Sequence, residues 1–413
     1  MRRASLGLFL LLCWAGAAAA ENWPGFRGPR SDGRSVEKAV PLTWSATENV
    51  RWKVELPGPG NSSPIVWGKR VFITQSLDKK GHQRVLMCLG RKDGKKLWER
   101  KVEYEPDEPT FEPFFYGQAT PVTDGERVIV SFGSAGLYCY SIDGKEQWRY
   151  DLGTLRHIWG NASSPLLYGD LVILWCGPGE RQFLVAIDKH KGTKVWQYDE
   201  PAGKADEYAG SWSTPVVARV NGQDELIVLL SKRVKAFDPK TGAERWSCSG
   251  LGPLVYTSPA VSAEGIVVAF SGYHGAALAV RAGGKGDVTA THRLWIHEKG
   301  KQPQRIGSPV LIGDYCYLVS ASGEAHCFEV KTGKDMWSEE KLGQQSWSSL
   351  VATADGKLLV AGFAGDTYVL EASSQFRQLA RNSLGKERVN ASIAIADGEL
   401  FIRSYRHLWC IGQ

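Results

Sequence analysis

The side chains that could carry chemistry in this chain are numerous but scattered. His157, His274, His292, His297, His326 and His407 are spread through the chain, and no set of His and Cys at metal-ligand spacing gathers around them. No Cys-x-x-Cys-His motif offers a covalent haem attachment, and no two cysteines are adjacent. A calcium loop of alternating aspartates is absent as well. The densest acidic stretch, Glu103 to Glu112 (EYEPDEPTFE), reads as a solvated insertion. Serine and histidine are common, yet nothing in their placement marks a hydrolytic triad. The sequence therefore predicts no catalytic residue and no metal site.

Seven cysteines follow residue 20. Cys88, Cys139, Cys327 and Cys410 share the slot that Ala186 and Ala236 hold elsewhere in a recurring pattern, and a small buried side chain explains them. Folding Tyr315 to Phe328 about Ala321 to Gly323 could bring Cys316 and Cys327 opposite each other on adjacent strands. Either a disulfide or two buried thiols would follow.

The start of the chain is an address. Arg2 and Arg3 precede an apolar run from Leu6 to Trp14 and a small-residue stretch ending Ala18-Ala19-Ala20. This is the pattern of a cleaved signal peptide over 1–20, so the protein is expected in the periplasm or outside the cell. Removing that segment lowers the formal charge from +6 to +4. No basic stripe exists to neutralise phosphates, which excludes nucleic acid as an expected partner. No later run is long and apolar enough to span a bilayer, and a monomer is expected.

One unit recurs through the rest of the chain. Ala236 to Trp246 (AFDPKTGAERW) is a strand end, a tight Thr241-Gly242 turn and a second strand closing on Trp246; variants end at Trp98, Trp148, Trp196, Trp295 and Trp337. Upstream of each lies a small polar pair, usually before Pro, as at Ser62-Ser63-Pro64, Thr120-Pro121, Thr214-Pro215 and Ser308-Pro309. Eight such starts, each followed by short alternating strands, predict an all-β fold: a single eight-bladed β-propeller of four-stranded antiparallel blades over 49–413. The last unit lacks a fourth strand. Asn49 to Leu56 (NVRWKVEL) can supply it, with Trp52 in the tryptophan slot, so the N-terminal strand completes the last blade and closes the ring. Unit seven has Leu379 where Trp is expected, and unit five carries a Gly-rich insertion at Gly283 to Asp287. Residues 21–48 form a leader.

The motif A-x-D-x-x-T-G-x-x-x-W, met at Ala236, Asp238, Thr241, Gly242 and Trp246, resembles the tryptophan-docking repeat of the pyrroloquinoline-quinone (PQQ) propeller superfamily. Within it the chain, with its leader Trp23 to Gly33 (WPGFRGPRSDG), is similar to PQQ-like repeat proteins grouped with BamB-type outer-membrane assembly factors. The resemblance implies structural roles for Trp52, Trp98, Trp148, Trp196, Trp246, Trp295 and Trp337. Each is expected to pack on the Gly of its own turn and on the next blade. It also implies two functions. The first is a non-catalytic scaffold for envelope proteins or extended peptide segments, with no cofactor. The alternative is a PQQ- and calcium-dependent alcohol or sugar dehydrogenase.

A ligand or partner would meet the mouth of the axis, where the chain enters each innermost strand. Asn61, Gln118, Asn161, Trp212, Tyr256, Arg305, Trp347 and Asn390 are expected there, with Arg156, His157 and Trp159 in the adjoining loop. Asn61, Asn161 and Asn390 also satisfy N-x-[ST], but repeat grammar explains them better than glycosylation. Arg305 is expected to be the one charge among the eight.

Overall fold

A computed structural model describes residues 21–110, 116–201, 208–273, 275–298 and 303–413. The expected signal peptide and His274 lie outside the described residues. Among the described residues, eight antiparallel meanders surround an axis, innermost strand first, as the repeat predicts. Blade one spans 65–103, blade two 122–150, blade three 166–199, blade four 216–249, blade five 260–297, blade six 310–341 and blade seven 351–383. Blade eight consists of Ala394–Ala396, Glu399–Arg403 and His407–Ile411, completed on its outer edge by Val50–Glu55. The N-terminal strand thus closes the ring.

Alternation gives every blade two faces, and each face packs against a different neighbour. The apolar core is accordingly a set of inter-blade layers. Ile129 and Leu137 of blade two, for example, share one layer with Leu174 and Val185 of blade three. The closing seam adds polar clasps. Arg403 of blade eight, fully buried, donates to Ser62 Oγ (2.6 Å) and to the Thr74 carbonyl of blade one (2.7 Å). Arg91 of blade one reaches back to Glu399 at 2.6 Å.

In every blade the outermost strand skips one residue against its partner immediately before the tryptophan slot. Cys88 faces Trp98 and Leu89 faces Lys96, so Leu97 bulges out; Val195 and Leu294 repeat this in blades three and five. Three of the chain's exposed apolar side chains are explained by it. In blade seven the skipped residue is Leu379, and Ala380 faces Val369. The vacant tryptophan slot therefore belongs to Ala380, one residue beyond the expected Leu379, because the bulge shifts the register.

The indoles dock forward. Trp52, Trp98, Trp148, Trp196, Trp295 and Trp337 each donate Nε1–H to a carbonyl in the turn of the following blade, at 2.7–3.2 Å. Five of them cover the glycine of that next turn, not of their own as expected, and Trp337, whose next turn has no glycine, packs on Phe376 instead. A Cβ on Gly242, where φ is +72°, would stand 2.5 Å from the Trp196 ring. Trp246 breaks the rule: its indole donates to Glu225 Oε2 of its own blade at 2.8 Å. The insertion explains why. Gly286–Asp287 of blade five lies parallel to the outer strand of blade four as a fifth strand, pairing Trp246 with Gly286.

Cys316 faces Phe328, and Cys327 faces Tyr317. The two thiols are thus one register step apart and point to opposite faces of blade six, Cys327 toward blade seven and Cys316 toward blade five. The two cysteines are therefore not opposite each other, and of the two outcomes left open the one found is a pair of free, buried thiols. Burial raises both thiols, Cys327 to about 12 and Cys316 well above its ordinary value.

Candidate ligand cavity on the propeller axis

The small polar pair at the head of each innermost strand builds a belt around the axis. Ser63 N–H donates to Thr120 Oγ1 (3.0 Å), Thr120 N–H to Ser164 Oγ (3.0 Å), and Ser164 N–H to Thr214 Oγ1 (3.0 Å). On the far side, Ser258 N–H donates to Ser308, Ser308 to Ser349, Ser349 to Ser392, and Ser392 back to Ser63, at 2.9–3.0 Å. One residue per blade ties seven of the eight junctions. The step from Thr214 to Ser258 is the exception, and Ser258 Oγ has no partner among the described residues.

Above the belt is a cavity of about 580 Å³. Its wall is set two residues earlier in each blade, because alternate residues of an extended segment share a face. Asn61, Gln118, Trp212, Tyr256, Trp347 and Asn390 line it as expected, with Trp159. Asn161 and Arg305 do not. The residue three before Pro165 is Ala162, and the one three before Pro309 is Ile306; these two occupy the ring. Counting back from the prolines would have found both.

Arg305, placed between the lining residues Gln304 and Ile306, takes the opposite face. Its guanidinium lies 4.9 Å from the centre of the Phe270 ring, and burial lowers its pKa from 12.5 to about 10. It is a buried strut, not the charge of the mouth. Asn161 donates to the Pro178 carbonyl (3.0 Å), and His157 sits behind the wall against Trp212, ring centres 5.0 Å apart. Sequence reasoning missed Tyr208, Tyr273 and Gln304 of the wall, which lie outside the repeat grammar.

The floor was not legible at all. The leader crosses the opposite end of the axis. Trp23 pairs with Val66 of blade one, Thr123 N–H of blade two donates to the Pro24 carbonyl, Arg27 donates to the Pro309 carbonyl of blade six, and Ser35 N–H donates to Ala352 of blade seven. Phe26, held between these contacts, lines the cavity from beneath. The acidic insertion is anchored too, not simply solvated: Glu108 pairs with buried Arg84 at 2.7 Å, and Arg84 lies over the Tyr104 and Tyr116 rings, 4.7 Å from each centre. Its residues 111–112 lie outside the described residues.

Fold and site together define a class: an eight-bladed repeat propeller with an axial cup closed at one end. The chain belongs to the PQQ-like repeat family whose profile is described as Outer membrane protein assembly factor BamB and matches residues 42–154 and 81–339. Among solved structures it is similar to BamB from Moraxella catarrhalis, at 16% identity and a TM-score of 0.61, covering 87% of this chain and 96% of that one. A europium-containing methanol dehydrogenase (12%, TM-score 0.67, 92% and 89%) also shares the fold. So does the quinohemoprotein alcohol dehydrogenase from Comamonas testosteroni (11%, 0.66, 97% and 82%). No curated protein matches by sequence.

PQQ is a tricarboxylate, and its calcium needs carboxylate or amide oxygens, so a fitting cup would present cations and acids. None of the described lining residues is charged. Among the described residues no group of three or more His, Cys, Asp or Glu could hold a metal ion. The described lining carries amides, but no cation for the three carboxylates of the quinone and no acid for its calcium, so it does not fit the pair.

Proposed function

We propose that this chain is an exported, monomeric, non-catalytic propeller that binds other envelope proteins as an assembly scaffold. The observation that carries the reading is the uncharged axial wall: among the described residues it offers no acid, base or cation with which to work on a substrate. Membership of the BamB-described family and the similarity to BamB over 96% of that chain support it. No helix among the described residues is long and apolar enough to cross a membrane. The outermost strands, where Leu97 (53% exposed) and Val195 (51%) bulge from the edge, suit an extended partner segment that adds a strand.

The test is photo-crosslinking from positions 97 and 195 of the full chain in envelope preparations. One reproducible partner, lost when Leu97 and Val195 are replaced by Asp, supports the scaffold. A second reading survives because the fold matches the dehydrogenases at higher TM-scores than BamB. Dye-linked alcohol oxidation by the protein supplied with PQQ and calcium or a lanthanide would replace the scaffold with that reading.

A further inference from the structure

We propose that the axial cup binds the end of an uncharged saccharide. This does not depend on the scaffold reading, which uses the outer strands.

Three features of the wall converge. One side is an aromatic arc in which Trp159 and Trp212 lie 5.6 Å apart, Trp212 and Tyr256 5.1 Å, and Trp159 and Tyr208 5.8 Å, all between ring centres. The faces of such rings carry negative potential and attract the weakly positive C–H face of a pyranose. Other parts of the wall present amides, whose hydrogen bonds leave mainly acceptors for a ligand. Gln118 donates to the Trp159 carbonyl (3.2 Å), and Asn390 donates to Tyr405 (2.8 Å) and Asn61 Oδ1 (3.3 Å). The Asn390 oxygen has no partner among the described residues, and Gln304 adds a further amide; such oxygens suit the donating hydroxyls of a sugar. At the base, seven belt oxygens have their acceptor role filled by a neighbouring N–H. A hydroxyl so engaged still carries its own proton, so the belt points its remaining capacity toward an acceptor-rich ligand.

Charge decides between ligand classes. With no ionised group among the described lining residues, a phosphate, a carboxylate or a uronic acid would be desolvated without compensation. An aromatic cage could also take a quaternary ammonium through cation–π attraction. Such a head group, however, has no hydrogen bonds to offer, and would leave the amides and hydroxyls of this wall unmatched. A polyhydroxylated neutral ring satisfies both halves of the cup.

Phe26 sets the mode of entry. Because the leader shuts the far end, a polymer cannot thread the axis, and a glycan must enter by its terminus or as a free oligosaccharide. The cavity of about 580 Å³ is within the span of small-molecule sites, about 300–1,000 Å³. Tyr208 (48% exposed) and Tyr273 (55%) stand at the opening, where the next sugar ring would pass.

The experiment titrates the mature chain with maltose, cellobiose and N,N′-diacetylchitobiose, with digalacturonate, choline and glycine betaine as the competing classes. Tryptophan fluorescence and calorimetry are the readouts. We expect at least one neutral disaccharide to bind with a Kd of about 1 mM or tighter, and the charged probes not to bind. Trp212→Ala should weaken that binding about tenfold or more. Because Trp212 also donates to the Gly160 carbonyl (2.9 Å), its melting curve is compared with that of Tyr273→Ala, a rim change that leaves the core intact and should weaken binding by about threefold. Binding of digalacturonate or choline in preference, saturation that is indifferent to both variants, or no heat with any of the three neutral sugars would each overturn the proposal.

Discussion

Blade junction four–five differs from the other seven, and the difference shows what the repeat is for. Elsewhere two devices recur: a forward-docked indole and a belt hydroxyl. The seven–eight junction lacks the indole but keeps the hydroxyl link from Ser349 to Ser392. Junction four–five lacks both, since Trp246 turns to Glu225 and no bond joins Thr214 to Ser258 among the described residues. Two parallel pairings stand in for them. Gly210–Ser211 pairs with Leu254–Val255 near the mouth, and the Gly286–Asp287 insertion pairs with blade four at the outer edge. The aromatic arc of the cup, Trp212 and Tyr256 above all, stands on the first of these pairings. Where the repeat grammar is strict, indoles and belt hydroxyls tie the blades together; where it lapses, backbone pairing takes their place.

The contrast is most severely tested at the tryptophans. Trp246 is completely buried and also supplies a hydrogen bond to the buried Glu225 carboxylate. Trp246→Ala should lower stability by about 3–5 kcal/mol, the upper range for large-to-small core changes, in urea unfolding. Trp98, half-buried on Gly144, should lose about half as much. Equal losses would mean that the irregular junction relies on its indole no more than a regular one does. A comparable strain can be introduced from the turn side. Gly242→Ala sets a Cβ against Trp196 at a positive φ and should cost about 2–4 kcal/mol, against about 1 for Gly222→Ala, whose φ of +79° is strained but whose Cβ meets nothing. A similar cost at both glycines would show that the docked indole yields freely.

These same residues mark how far the sequence could be read. The A-x-D-x-x-T-G-x-x-x-W copies disclose eight blades and their closure by Asn49 to Leu56, because a repeat states its own period. The ring of lining residues was legible in six of eight blades, and the two misplacements, Asn161 and Arg305, arise from a one-residue slip that alternation turns into a change of face. Trp159 was legible, whereas Tyr208, Tyr273 and the Phe26 floor were not. These depend on loops and a leader whose path is set by long-range contacts, such as Arg27 reaching Pro309, and no local pattern encodes them.

At the belt the comparison calls for a smaller effect. Ser164→Ala removes the acceptor of the buried Thr120 N–H and should cost about 1–2 kcal/mol. Ser258 accepts no such bond, so Ser258→Ala should be close to neutral in the same urea titration. If the two changes cost the same, the belt is packing alone and its broken step carries no meaning.

Acid offers the finest probe. Asp238 holds the turn that Trp196 covers. Burial raises its pKa, but hydrogen bonds from Arg245 and from the Lys240 and Thr241 amides outweigh burial and bring it below the usual 3.8. A carboxylate depressed in the folded state contributes stability that is complete above its unfolded pKa and is lost as pH falls through the folded one. Below about pH 4 the three–four junction should therefore loosen locally, read as faster amide exchange at Lys240 and Thr241. Val288, whose amide donates to the Ser247 carbonyl at the four–five junction with no carboxylate in that bond, should hold its protection over the same range. Parallel loss at both sites would place the acid response in the whole ring and remove the distinction between the two kinds of junction.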